Sequence, residues 1–365
     1  MNVGERLRYA RERLKLTLSD ARKQTGIGES SLSEFENGKR EPSLSQLHLL
    51  ANTYKRSLSF FLEETAASPD EVLWRKRPGD GAEKIEAQFR QLCERYHNLE
   101  VWTGEMRSAC LPECRVEAKD FEYQQAAALA RRVRNALQLG EHPGPSLLPV
   151  LEESCGVKVF HLDFEPSGTA ASAKSDRFGV AILLNSKNKR WRRNFDLAHE
   201  LFHLLTWDAL TPATEIAEDD EKIEKLATCF ARNLLMPAES LRSAIDTRVV
   251  NGKLKYESLF DIAREFDVSI EALVRHIGFQ WRRTQEQTEQ MLAAAESWRP
   301  FLEDRVDSPP PPYPERYRTL AVQALHRGEI SLGRFAEYLG ISRQKAMAYL
   351  RQEPLNHEEI QVPPA

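Results

Sequence analysis

Apolar residues recur at helical spacing through most of the chain. In the first 64 residues Leu7, Leu14, Leu18, Ile27, Leu32, Phe35, Leu44, Leu47, Leu50, Ala51, Leu58 and Phe61 repeat in short runs, which predicts five short helices around one small core. Three stretches, 17–35, 258–276 and 331–349, share one pattern: a small capping residue, an amphipathic helix, Gly or Asp, a β-branched residue, Gly or Ser, then a second amphipathic helix. Each reads as two helices joined by a tight turn, with Gly26 or Gly340 supplying left-handed backbone and Ser269 or Ser342 capping the next helix. Such corners pack helices in many proteins, so the geometry alone does not mean DNA. Residues 83–109 read as one long helix. Strand signals are confined to 157–162 and 178–185, runs of β-branched or apolar residues ended by turn formers.

The expected fold class is multidomain and mainly α. It comprises an N-terminal five-helix domain at 1–66, a linker and long helix at 67–124, and a central α+β domain with a small sheet at 125–285. A linker with a Pro-rich spacer at 286–314, a C-terminal helical segment at 315–353 and a tail at 354–365 follow. The small and polar run from Thr65 to Asp70 marks the first boundary, and Pro309 to Pro312 with Pro314 form a stiff spacer expected to isolate the last helices. A chain of 365 residues with 41% hydrophobic and 29% charged residues can bury several cores without covalent staples, and this composition excludes collagen-like and wholly disordered classes. Every apolar run is shorter than a membrane span, and the chain opens on charge without a signal-peptide core, so a cytoplasmic location without membrane contact is expected. Five cysteines at low density point to reduced thiols. Cys110 and Cys114 have a spacing that suits a metal, but no second cysteine pair or nearby histidine completes a site.

The net charge of −4 argues against a chain that coats nucleic acid, yet the first 64 residues hold 11 Lys/Arg against nine Asp/Glu, a local net of +2. Residues 26–43, Gly-Ile-Gly-Glu-Ser-Ser-Leu-Ser-Glu-Phe-Glu-Asn-Gly-Lys-Arg-Glu-Pro-Ser, resemble the Cro and phage-repressor (XRE) helix-turn-helix family, and the resemblance covers residues 4–62. It implies that the helix beginning near Gly28 enters the major groove of DNA, with Glu29, Ser30, Ser31 and Glu34 at base edges and Lys39 and Arg40 at phosphates. Glu36 is expected to have a structural role instead. Leu18 stands where the family usually places Gln, and Arg22 where it places a small packed residue. The acidic reading helix leaves a protein partner for this surface open, and paired half-sites leave a homodimer open.

The sharpest chemistry is His199-Glu200-Leu201-Phe202-His203, an H-E-x-x-H sequence in an apolar-flanked helix for which Asp196 is the expected cap. Histidines one turn apart project from one face and can bind one Zn²⁺, while Glu200 stands beside them to take a proton from a water activated there. Mn²⁺ or Fe²⁺ suits the same ligand types. Two imidazoles leave the coordination sphere short. Glu224 supplies a carboxylate on a later helix whose face it shares with Ala227 and Ala231, two small residues that permit close approach. Glu221 is the alternate, and a solvated place in the acidic run 218–221 is the bland alternative for Glu224.

Residues 192–203, Arg-Arg-Asn-Phe-Asp-Leu-Ala-His-Glu-Leu-Phe-His, followed by Glu224, Ala227, Phe230-Ala231 and Leu234-Leu235-Met236-Pro237, resemble the ImmA/IrrE family of metallopeptidases, over about 125–280. The resemblance implies a zincin-like central domain. Joined to an XRE module, it implies a DNA-binding transcriptional regulator with a zinc-dependent endopeptidase that cleaves a repressor or other regulatory protein, in stress response or in control of mobile elements or toxins. The alternative is a transcription factor whose metal domain is a non-catalytic sensor or partner dock. Phe202 replaces the family's usual Gly and is expected to narrow the cleft; Trp207 stands where another His is common. The run 178–184 could be an edge strand that pairs with an extended peptide, or an ordinary buried strand. His161, Arg275 and His276 are candidates for stabilising an oxyanion.

Overall fold

The computed structural model describes residues 2–56, 58–62, 71–74, 81–114, 121–165, 170–210 and 220–352; the boundary run Thr65 to Asp70 and the tail from 354 lie outside the described residues. The first helices are α1 (Val3–Arg13), α2 (Leu18–Thr25), α3 (Glu29–Glu36), α4 (Leu44–Thr53) and α5 (Leu58–Leu62), the five that the periodicity predicts. Their starts are fixed locally, because Asn2 with Glu5, Thr17 with Asp20 and Ser43 with Gln46 satisfy orphan amides reciprocally at the heads of α1, α2 and α4. Gly26 ends α2 at φ 71°, a conformation that costs a side-chain-bearing residue energy. Leu7, Leu32, Phe35, Leu47, Leu50, Phe60 and Phe61 close a small core of their own. Glu36 is buried and holds Arg11 through Nε at 2.7 Å and Nη2 at 2.8 Å, tying α3 to α1.

The described residues hold four strands, β1 (Glu71–Trp74), β2 (Lys158–Leu162), β3 (Ala170–Ser175) and β4 (Gly179–Asn185), in one sheet of order β1-β3-β4-β2. β1 pairs antiparallel with β3 and β3 antiparallel with β4, while β2 runs parallel to β4. β2 and β4 are the strands that the sequence predicts; β1, Glu-Val-Leu-Trp, has the same character but is only four residues long. β3 reads Ala-Ala-Ser-Ala-Lys-Ser, because helices press on both of its faces and leave room for small side chains only. β4 is internal, not the edge strand considered above for an extended peptide.

The remaining helices are α6 (Ala82–Thr103), α7 (Tyr123–Ala136), α8 (Pro143–Pro149), α9 (Arg190–Leu210), α10 (Asp220–Leu235), α11 (Ala238–Asp246), α12 (Tyr256–Glu265), α13 (Ile270–Gln280), α14 (Gln285–Leu302), α15 (Glu315–His326), α16 (Leu332–Tyr338) and α17 (Arg343–Gln352). The long helix expected at 83–109 stops at Thr103, where Gly104 takes φ 68° and closes the last turn. The sheet divides two cores by its period of two. Ala170, Ile182 and Leu184 face α7 and α9 to α14, whereas Ala171, Ala173, Ala181 and Leu183 face α6 and α15 to α17.

Two stretches differ from the expected linkers. Residues 285–302 form α14, whose Ala295 is buried in the core that α12 and α13 share. The Pro-rich run does not hold the last helices apart: Asp307 accepts the Arg190 amide at 3.0 Å, and beyond it Arg316 reaches Glu100 at 2.6 Å while Glu337 accepts from Arg95 at 2.8 Å. The C-terminal helix pair thus packs against α6 and the sheet, as its apolar periodicity favours. No helix among the described residues is long and apolar enough to cross a membrane.

Replacing Glu36 with Ala strands Arg11 in a nearly closed site, and the expected loss of stability in the N-terminal core is about 3 kcal/mol. Urea unfolding followed by circular dichroism checks this, with Glu34→Ala, at an exposed position on the same helix, shifting the midpoint little.

Candidate metal centre and nucleic-acid face

Helix α9 carries the H-E-x-x-H run through the interior, with His199, Glu200 and Phe202 fully buried and His203 8% exposed. A helix this polar needs anchors. Asp267, held at φ 52°, accepts from Arg190 Nη1 at 2.5 Å and Asn194 Nδ2 at 2.7 Å, which pins the head of α9 to the turn between α12 and α13. Gly144 permits that contact, since a Cβ there would lie 2.7 Å from the Phe266 carbonyl oxygen. Asp196 is not the helix cap. The helix begins at Arg190 because nothing between the two residues breaks it, and Asp196 sits inside, buried, accepting from Asn188 Nδ2 at 2.9 Å and pairing with Arg192 Nε at 3.1 Å.

The structure brings His199, His203 and Glu224 together, the one group of its kind among the described residues. His199 Nε2 lies 3.2 Å from His203 Nε2 and 3.0 Å from Glu224 Oε2, and His203 Nε2 lies 3.2 Å from Glu224 Oε1. Tetrahedral donors about 2.0–2.1 Å from a zinc ion stand roughly 3.3 Å apart, so this triangle fits such an ion with a fourth position left for water. The approach of α10 needs small residues, and Ala227 and Ala231 are both fully buried. Burial alone would raise the Glu224 pKa, but the hydrogen bonds and charges of the two histidines outweigh it and bring it to about 2. Glu200 is the opposite case: burial, with only partial relief from His203, pushes its carboxyl up to about 7. Both Glu200 oxygens are buried without a hydrogen-bond partner, an arrangement costly to stability and suited to a group that handles a proton beside a bound ion. Ser172 on β3 faces this carboxyl and favours its charged form without reaching hydrogen-bond geometry.

Other candidates fall elsewhere. Glu221 is exposed and paired with Lys225 at 2.6 Å. Phe202 does not narrow the cleft. It lies in the core with its ring centroid 5.8 Å from Phe121 and 5.6 Å from Phe230. Arg275 pairs with Glu271 and Glu289 on the surface. His161, on the outer strand β2, and His276, which meets the Met236 carbonyl oxygen at 3.0 Å, are both pushed down to about 4 by burial. His276 does line, with Glu224, Tyr123, Arg232 and Phe279, a cavity of about 470 Å³ beside the triangle. The five cysteines are free thiols. Ser172 is the residue that sequence reasoning missed, since only recognition of β3 and its alternation could have aimed it at Glu200.

On the N-terminal module Glu29, Ser30, Glu34, Lys39 and Arg40 are exposed and Ser31 is half-buried, all on α3 or the loop after it. Arg22 stands 3.4 Å from Glu29 and offsets one of the two carboxylates on this face, and the Arg40 guanidinium lies 5.8 Å from the centre of the Phe35 ring.

A helix-turn-helix module joined to an α+β domain with a metal-ligand triangle spanning two helices defines a two-part chain of zincin-like type. Residues 7–61 match the helix-turn-helix family model, and residues 152–277 match that of the IrrE N-terminal-like domain, peptidase family M78. The chain therefore carries an XRE-type helix-turn-helix domain and a domain of the M78 metallopeptidase family. It is 32% identical over 68 residues to the "HTH-type transcriptional regulator ImmR" of Bacillus subtilis (strain 168), a match covering 19% of this chain and 54% of that protein. The chain thus spans about half the length of this curated relative.

Two outcomes follow from the site. Glu224→Ala is expected to weaken zinc binding by at least about tenfold, measured by competition with a chromophoric chelator, whereas Glu221→Ala leaves it unchanged. For His161 and His276 the folded state binds fewer protons than the unfolded chain between pH 6.5 and about 4, so stability is full above pH 6.5 and falls as pH drops through that window. Each histidine accounts for on the order of 3 kcal/mol of this loss, and His276→Gln should flatten the pH dependence of the melting temperature accordingly.

Proposed function

We propose that this protein is a DNA-binding transcriptional regulator whose second domain is a zinc-dependent endopeptidase directed at a repressor or another regulatory protein, in stress response or in the control of mobile elements or toxins. The observation that carries the reading is the triangle of His199, His203 and Glu224 with the unpartnered, buried carboxyl of Glu200 beside it. A divalent ion held by those three residues, zinc or else Mn²⁺ or Fe²⁺, would polarise a peptide carbonyl and acidify a water. Glu200 would take the proton of the attacking water and pass it to the departing amine, a role for which a pKa near neutrality suits it. Glu224, held ionised by both imidazoles, keeps their ring nitrogens aimed at one point.

The N-terminal reading is supported by the family match at 7–61 and by the exposed face of α3. Glu29, Ser30, Ser31 and Glu34 are the proposed base-reading residues, and Lys39 and Arg40 the phosphate contacts. A paired operator site implies two copies of the module on DNA.

Glu200→Gln is expected to keep one equivalent of zinc and full DNA affinity while losing cleavage by about a thousandfold or more, read by gel assay against a regulatory protein that the unaltered chain cleaves. Regulation unchanged by that substitution would favour the non-catalytic sensor instead. Lys39→Ala is expected to weaken DNA binding about equally across sequences and to lower the slope of log affinity against log salt by about one, measured by fluorescence anisotropy.

A further inference from the structure

The outer edge of β3 is the edge that an extended peptide would use, and a segment of this chain already lies along it. Ser172, at the middle of β3, is buried on the face turned to α9 and stands beside Glu200. A peptide whose carbonyl is to be attacked beside Glu200 is held most simply by pairing its main chain with that strand, which asks nothing of its sequence. β1 occupies the position. It runs antiparallel to β3 with Val72 opposite Ala173, Leu73 opposite Ser172 and Trp74 opposite Ala171. Leu73 packs with the core that contains α9, on the same face as Ser172, while Val72 and Trp74 pack with the opposite core. Trp74 is further fixed by donating from Nε1 to Glu86 Oε1 at 2.9 Å and by its ring standing 5.7 Å from that of Phe164.

We propose that β1 is a built-in stand-in for substrate: an extended segment with a leucine turned toward α9 between two large apolar residues turned away, which fills the docking edge until it is displaced. The substrate segment that fits has the same character, extended, antiparallel to β3 and apolar at the residue facing Ser172. Because β1 lies between α5 and α6 in the chain, the strand that closes the edge also tethers the helix-turn-helix module. That module rests on α6 through Lys15 with Glu83 at 2.6 Å and Arg56 with Glu94 at 3.4 Å. The identity of the entering segment as a peptidase substrate rests on the proposed function; the occupation of the edge does not.

The test uses the full chain with Glu200→Gln, so that binding is read without cleavage, and a fluorescent peptide of residues 69–76 as probe. Cysteines introduced by Val72→Cys and Ala173→Cys lie on the face away from α9 and can lock β1 in place. The oxidised lock is expected to take up no peptide, and reduction to restore the parent's level by anisotropy. Leu73→Asp, which loosens β1, is expected to bind the peptide roughly tenfold more tightly than the parent. Undiminished binding by the oxidised lock overturns the proposal, and so does a Leu73→Asp protein with native-like melting that gains no affinity. If that variant does not fold, the lock decides. Should both behave as expected while zinc-loaded protein with Glu200 intact cleaves no peptide, the edge proposal stands and the peptidase reading fails.

Discussion

Two helices lying close enough for a carboxylate on one to meet two imidazoles on the other is the constraint on which the rest of this molecule turns. It demands a polar helix in the interior, since His199, Glu200 and Asp196 are all fully buried. Burying such groups costs free energy unless each has a partner, and the chain meets most of that cost with carboxylates drawn from distant segments. Asp267 holds Arg190 and Asn194, Asp307 holds the Arg190 amide, and Asp196 is held in turn by Asn188 and Arg192. Among the described residues Glu200 is the buried carboxylate with both oxygens left open, so a cost remains at the point where proton transfer would occur.

The sheet works as a partition. Its period-two alternation sends one set of side chains to the helices around the metal-ligand triangle and the other to α6 and the C-terminal helices. The second core is stitched by charge as well as by packing: Glu100 accepts from Lys158 at 2.9 Å and from Arg316 at 2.6 Å, joining sheet, long helix and C-terminal helices at one buried carboxylate. The far side of the sheet therefore stiffens β3 and β4, on which the placement of α9 depends.

Much of this was legible in the residues. Spacing at 199–203 and the small-residue face at 224, 227 and 231 sufficed to name the triangle, because helical periodicity converts sequence separation directly into shared direction. The capped pattern at 17–35 likewise anticipated α2 and α3. What escaped reading has a common cause. β3 is built of Ala, Ser and Lys, and its conformation comes from neighbours on both faces and not from its own preferences. β1 follows a boundary in the chain and becomes a strand only because β3 offers it an edge. Local pattern puts Asp196 at a helix cap and Phe202 at a cleft wall, whereas the fold buries both, because pattern cannot tell which tertiary neighbour a side chain meets.

Phe202 has a further meaning. Between the two metal-facing histidines it forms an aromatic trio with Phe121 at the entry to α7 and Phe230 on α10. The motif helix is thereby riveted to both of its flanking helices by a residue that does no chemistry. Glycine at this position would open a void that the two remaining rings could not fill, so the bulk at 202 is matched in shape to the rings on either side of it.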